Sequence, residues 1–149
     1  MILPTYEYPS RYQDFAPGTV IEHEQRRVIT HMDNVLYARL SGHEHPFFFA
    51  YGARNEGRTP VNPFLVLGVV GGLAVRATSQ SAIANLGWES ISFPECAYVW
   101  DELRAVTEIL DKRLSKKDAS KGIIRIRTTG LNQDDRVVSI AVRSFMVNA

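Results

Sequence analysis

The chain has 149 residues, with 17 Lys and Arg against 16 Asp and Glu for a net charge of +1, 45% hydrophobic residues and one cysteine. Its size suits a single core, its hydrophobic content excludes an intrinsically disordered chain, and its balanced charge lacks the basic footprint that nucleic-acid binding needs. A lone cysteine forms no internal disulfide and no cysteine-rich zinc site, which points to a reducing, cytoplasmic setting.

The opening MILPTYEYPS has no basic region followed by an apolar run, so no secretory signal is read there. Residues 27–30 (RVIT) form a short β-rich run after a polar, mixed stretch. Residues 31–40 (HMDNVLYARL) then place Met32, Val35, Leu36, Tyr37 and Leu40 at helical spacing, on roughly one face. Thr30 and Asp33 make a capping box for that helix, and Ser41 and Gly42 end it. The next residues, 41–48 (SGHEHPFF), run from a polar loop into Phe47, Phe48 and Phe49, with Tyr51 close behind. Such an aromatic run lines an acyl pocket or packs into a core.

Residues 61–75 (VNPFLVLGVVGGLAV) are apolar but for Asn62 and the glycines, and stop at Arg76. The run falls short of the roughly twenty residues that cross a bilayer, so it reads as a buried helix and no membrane partner is expected. Asn62 suits the N-cap, and Pro63 suits the first helical position, where no amide donor is needed. A helix apolar on every face must be surrounded by protein, and in so small a chain only a curved sheet is large enough to wrap it. Gly68, Gly71 and Gly72 each cost on the order of 1 kcal/mol against Ala, which suggests close contact with that sheet.

Four strands follow: residues 86–97 (LGWESISFPECA), 102–114 (ELRAVTEILDKRL), which alternates only in part and by propensity also suits a helix, 122–129 (GIIRIRTT) and 137–147 (VVSIAVRSFMV). The polar loops at 116–122 (KKDASKG) and 132–135 (NQDD) join them as antiparallel neighbours. No repeat, low-complexity stretch or linker divides residues 1–149. The expected architecture is α+β, a single hot dog with a long central helix wrapped by a bent antiparallel sheet. An exposed sheet edge and an incompletely covered helix end call for a second copy or a paralogue.

The order of residues 12–18 (YQDFAPG), 26–30 (RRVIT), 40–42 (LSG), 58–60 (RTP), 84–87 (ANLG) and 129–133 (TGLNQ) resembles the MaoC-like hydratases and dehydratases of CoA thioesters. Residues 84–88 (ANLGW), 107–110 (TEIL), 125–133 (RIRTTGLNQ) and 143–147 (RSFMV) are more closely similar to the N-terminal half of mesaconyl-CoA hydratase and its relatives, which are built from two hot dogs. The resemblance implies reversible addition of water to an α,β-unsaturated acyl-CoA with a short, branched or dicarboxylic acyl group. CoA is then part of the substrate, and no separate cofactor or metal is implied. In that family an Asp and a His, in a stretch reading S-G-D-x-N-P-x-H after the first short helix, hold the water and exchange the proton. A backbone amide at the head of the central helix receives the thioester oxygen. The chemistry requires a base and an acid within hydrogen-bond reach and a fixed donor for the enolate-like oxygen, which a helix N-terminus supplies.

Set against that pattern, SGHEHPFF puts His43 at the Asp position, His45 at the Asn position and Phe48 at the His position. The catalytic candidates are therefore His43 as a base near neutral pH, Glu44 as its orienting group or acid, and His45. Phe48, Asn62, Phe64, Leu65 and Asn85 are the substrate-binding candidates. Pro63 has no amide hydrogen, so an oxyanion donor must come from Phe64 or Leu65. Asn85 is expected to satisfy backbone groups, and Cys96 to be a buried structural thiol in a strand. Arg113, Lys116, Lys117 and Lys121 gather on one hairpin, where they either meet CoA phosphates or stand in solvent.

Two functions follow. One is an enoyl-CoA hydratase or dehydratase working as a homodimer or higher homo-oligomer. The other is a non-catalytic acyl-CoA-binding subunit of a hetero-oligomer, whose catalytic hot-dog paralogue brings the Asp and His. A thioesterase shares the fold but usually needs a carboxylate on or near the central helix, and residues 61–75 contain none.

Overall fold

The computed structural model describes residues 8–49 and 57–149; Tyr51 lies outside them. In chain order they form a 3-10 turn at Tyr12–Asp14, β1 at Val20–Val28, α1 at His31–Ser41, a second 3-10 turn at Pro46–Phe48 and α2 at Pro63–Thr78. Four strands follow: β2 at Ala84–Ser92, β3 at Glu102–Leu114, β4 at Lys121–Leu131 and β5 at Val137–Asn148. All five strands join one antiparallel sheet in the order β1-β3-β4-β5-β2. The sheet curves around α2, which lies against β1, β3, β4 and β5. This is the expected α+β hot dog. Among the described residues no helix is long and apolar enough to cross a membrane.

Strand alternation sets the core. Leu103, Ala105, Thr107 and Ile109 of β3 are buried, as are Ile124, Ile126 and Thr128 of β4, while their neighbours are not. Val66 and Val70 of α2 pack with Leu103, Ala105 and Val138 in one cluster. Phe15, Ile109, Ile124, Ile126, Phe145 and Val147 make a second, with Phe15 edge-on to Phe145 at 5.6 Å. At Gly130 of β4 a Cβ would stand 2.5 Å from Val70 Cγ2, so the approach of helix to sheet there requires glycine.

Several sequence expectations need correction. The capping box of Thr30 and Asp33 forms, with Gly42 left-handed at the helix end, but α1 does not bury its apolar stripe. Asn34 and Ala38 face inward, while Met32, Leu36 and Leu40 are 68%, 54% and 80% exposed. The first strand is Val20–Val28, not residues 27–30. As an edge strand with a register shift between Glu22 and Arg26, it carries no apolar alternation to read. β2 ends at Ser92, ahead of Pro94, which has no amide to give a ladder.

Cys96 consequently sits in a loop, exposed. The tight contacts expected at Gly68, Gly71 and Gly72 are also absent: a Cβ at any of them would meet nothing within 4 Å. α2 buries Val66, Val70, Ala74 and Thr78 but leaves Phe64 and Val75 exposed, so the chain wraps one side of its helix and leaves the other open. Every residue of β2 beside that open side is exposed as well.

Candidate acyl-thioester site

Two segments that precede α2 are tied down by buried polar groups. The Asn34 side chain donates from Nδ2 to the carbonyls of Phe48, at 2.8 Å, and Pro60, at 3.0 Å, while its Oδ1 accepts from the amide of Asn62 at 3.1 Å. A single buried amide thus holds the loop after α1 against the head of α2. Asp101, also buried, accepts from Arg58 at 2.8 Å, from Gln133 at 3.0 Å and from the amide of Tyr98 at 2.9 Å. Backbone bonds from Val61 to Ala97 and from Val99 to Thr59 complete the approach to the helix.

The head of α2 leaves one backbone donor unpartnered among the described residues. Asn62 is the N-cap, and its Oδ1 accepts from the Phe64 amide at 3.0 Å. Pro63 has no donor, and the Val66 amide bonds the Asn62 carbonyl at 3.1 Å. The Leu65 amide is left without a partner among the described residues, at the positive end of a 16-residue helix.

Around this head the predicted residues separate. His43 is brought to the site: its ring stacks between Tyr37, at 6.1 Å, and Phe64, at 6.2 Å, and its Nδ1 lies 3.5 Å from the Tyr37 hydroxyl. Glu44 turns away, accepting from Arg39 at 2.6 Å, with both side chains exposed. His45 caps the second 3-10 turn, its Nδ1 accepting from the Phe47 amide at 3.2 Å. Glu44 and His45 therefore have other partners, and neither is bonded to His43. Among the described residues no three metal-ligating side chains converge.

Two cavities flank the helix head. One, of about 310 Å³, is walled by Phe47, Phe48, Pro63, Val66, Phe93 and Cys96, and the Phe93 ring meets Phe64 edge-on at 5.8 Å. Desolvation pushes the Cys96 thiol above its ordinary value, although the residue as a whole stands exposed. The second cavity, of about 540 Å³, runs along the open side of α2 between Phe64, Gly68, Gly71, Asn85, Trp88 and Arg143. Asn85 does not serve the backbone as expected; its Oδ1 accepts from Arg143 at 3.4 Å. Phe48 and Phe64 thus face different cavities, while Leu65 packs against the core.

The sequence alone does not mark Asn34, Asp101 or Arg143. An Asn inside a helix and an acid beside a Trp carry no motif. Arg143 was visible only as part of RSFMV.

A family model for mesaconyl-CoA hydratase matches residues 3–148. A beta-methylmalyl-CoA dehydratase from Chloroflexus aurantiacus is 33% identical over 142 residues, covering 91% of this chain and 39% of that protein. Among solved structures, a MaoC domain protein dehydratase from the same organism aligns with TM-score 0.84 and 30% identity, over 98% of this chain and 42% of the other. A Mycobacterium tuberculosis protein described as having a double hotdog fold aligns with TM-score 0.85 and 21% identity, over 95% of this chain and 44% of its own. The chain thus spans about two fifths of the length of these relatives. The match over nearly all of its residues, together with the single hot dog they form, places the chain in the mesaconyl-CoA hydratase family, with a MaoC-like fold.

Proposed function

We propose that this chain is the acyl-thioester-binding unit of a hydratase or dehydratase of short CoA thioesters, and that a second hot dog supplies the acid and base. The observation that carries the reading is the pairing of Glu44 with Arg39. It leaves His43 without a carboxylate in the place where the family chemistry needs an Asp and a His acting together. What remains is suited to binding: the Leu65 amide for the thioester oxygen, an apolar cavity behind Phe48 and Pro63, and a second cavity open along α2.

The partner is expected on that open side. β2 ends the sheet with an unpaired ladder edge, and Leu86, Trp88 and Ile91 stand exposed on it. A second hot dog docking there would extend the sheet and cover the open face of α2. The relatives named above are about two and a half chains long by their covered fractions, which is consistent with a second unit working beside this one.

A second reading, in which this chain catalyses hydration alone, has one observation in its favour. The His43 ring lies against Phe64 at the helix head, where a base would stand. Glu44 and His45 have no matching place in it.

Calorimetry with crotonyl-CoA, mesaconyl-CoA and free CoA tests the binding role. Saturable binding is expected, tighter for the thioesters than for CoA because the acyl group enters an apolar cavity. Failure of both thioesters to bind would overturn the reading.

A further inference from the structure

The open side of α2 and the edge strand β2 meet at a charge that the protein does not balance. Arg143 of β5 stands directly across from Trp88 of β2 in the ladder, donating from Nη2 to Ser79 Oγ at 2.9 Å and from Nη1 to Asn85 Oδ1 at 3.4 Å. It is half-buried, both these partners are neutral, and among the described residues no carboxylate pairs with it. Around it Phe64, Val75, Ile83 and Trp88 stand exposed along one cavity, whose lining includes no acid among the described residues.

Two features suit this face to a protein rather than to a small ion. Its apolar side chains flank an unpaired ladder edge, and only another polypeptide covers both. Trp and Arg side by side in a partly desolvated setting are also the residue types that anchor protein interfaces.

Charge then separates one protein from another. A second copy docking about a two-fold axis meets this face with the same face. That face offers no free acid: α2 contains none, and Glu89, the one acid of β2, is held by Arg125 through bonds of 2.6 and 2.7 Å. Closing such a contact desolvates two guanidinium groups, one per copy, with no counter-charge for either, which is costly for an unpaired ion. A partner that differs at this place and offers one carboxylate turns the same guanidinium into a charged contact with a matching fork of donors.

We propose that Arg143 selects the occupant of this face: a non-identical domain that presents a carboxylate to it, in place of a second copy of this chain. The inference rests on the reading that a second hot dog docks here, and deepens it by naming what that partner must carry and why a copy does not serve.

Sedimentation of the purified chain at micromolar concentrations, with thermal melts to establish folding, reads the exclusion of a copy. The wild type is expected to stay monomeric. Two variants remove the unbalanced charge by different chemistry: Arg143→Met deletes it, and Asn85→Asp supplies a carboxylate beside it within the chain. Each is expected to tighten self-association at least about tenfold. Adding Gly71→Lys, which puts a charge into open space on α2, is expected to return Arg143→Met to the monomer.

A wild type that associates as tightly as the variants, an Arg143→Met dimer that Gly71→Lys does not reverse, or an Asn85→Asp chain that stays monomeric would each overturn the assignment. These outcomes leave the binding role intact. That role is read separately by calorimetry of the wild type with crotonyl-CoA and mesaconyl-CoA, where its own failure would show.

Discussion

Asn34 joins three backbone groups from two segments, the carbonyls of Phe48 and Pro60 and the amide of Asn62, through one buried side chain. The sequence does not mark it, because a lone Asn within an amphipathic pattern looks like a surface residue. The Asn62 cap was legible because its chemistry is local, an Asn followed by Pro at the first turn. The partners of His43, Glu44 and His45 were not, because Arg39, Tyr37 and Phe64 come into reach only once α1, its following loop and α2 are folded together.

The same scale shows a titration that no motif announced. His23 Nε2 lies 2.9 Å from Thr107 Oγ1, which lies 3.0 Å from Thr128 Oγ1, and burial pushes the imidazole below its ordinary value of 6.5. With the folded-state value depressed, the unfolded chain takes up the proton first as pH falls. Stability is therefore full above the ordinary value, declines as pH falls toward the lowered one, and levels off beneath it. Denaturant midpoints measured between neutral and mildly acidic pH should show this slope in the wild type and a flatter profile in His23→Gln; equal slopes would contradict it.

At the scale of elements, the helices and the long strands were legible where periodicity and caps agreed. β3 and β5 were placed within a residue of their observed ends, and β4 to within two, because one face of each is buried and the other is not. β1 was not, since an edge strand of polar residues has no alternation. α1 misled because its apolar residues point outward. The glycines of α2 misled in the opposite direction, since nothing in this chain approaches them.

Glycine substitutions separate the two situations. Gly130→Ala forces both Val70 and Ser139 to move and should cost about 1–3 kcal/mol. Gly68→Ala places a methyl in open space and should raise the stability of the isolated chain by about 0.5–1 kcal/mol through helix propensity. A destabilised isolated chain would contradict the open face.

For the whole molecule, the hot dog and its family were legible because collinear motifs run along nearly the entire chain. The choice between a self-sufficient hydratase and a binding unit with a catalytic paralogue was not legible, because it depends on what covers β2 and the open side of α2. On the proposed reading, what this chain contributes is an unpartnered amide at the helix head and apolar walls beside it. The acid and base are not arranged as a pair, since Glu44 is committed to Arg39 and His45 to its turn.

The most direct measurement is the loss of enoyl-thioester absorbance when the purified chain alone meets crotonyl-CoA and mesaconyl-CoA, repeated with His43→Ala. A flat trace from both proteins is expected, with calorimetric binding intact on the same samples. Turnover by the wild type that falls by several orders of magnitude in folded His43→Ala would contradict the division of labour and make His43 the catalytic base of a self-sufficient hydratase.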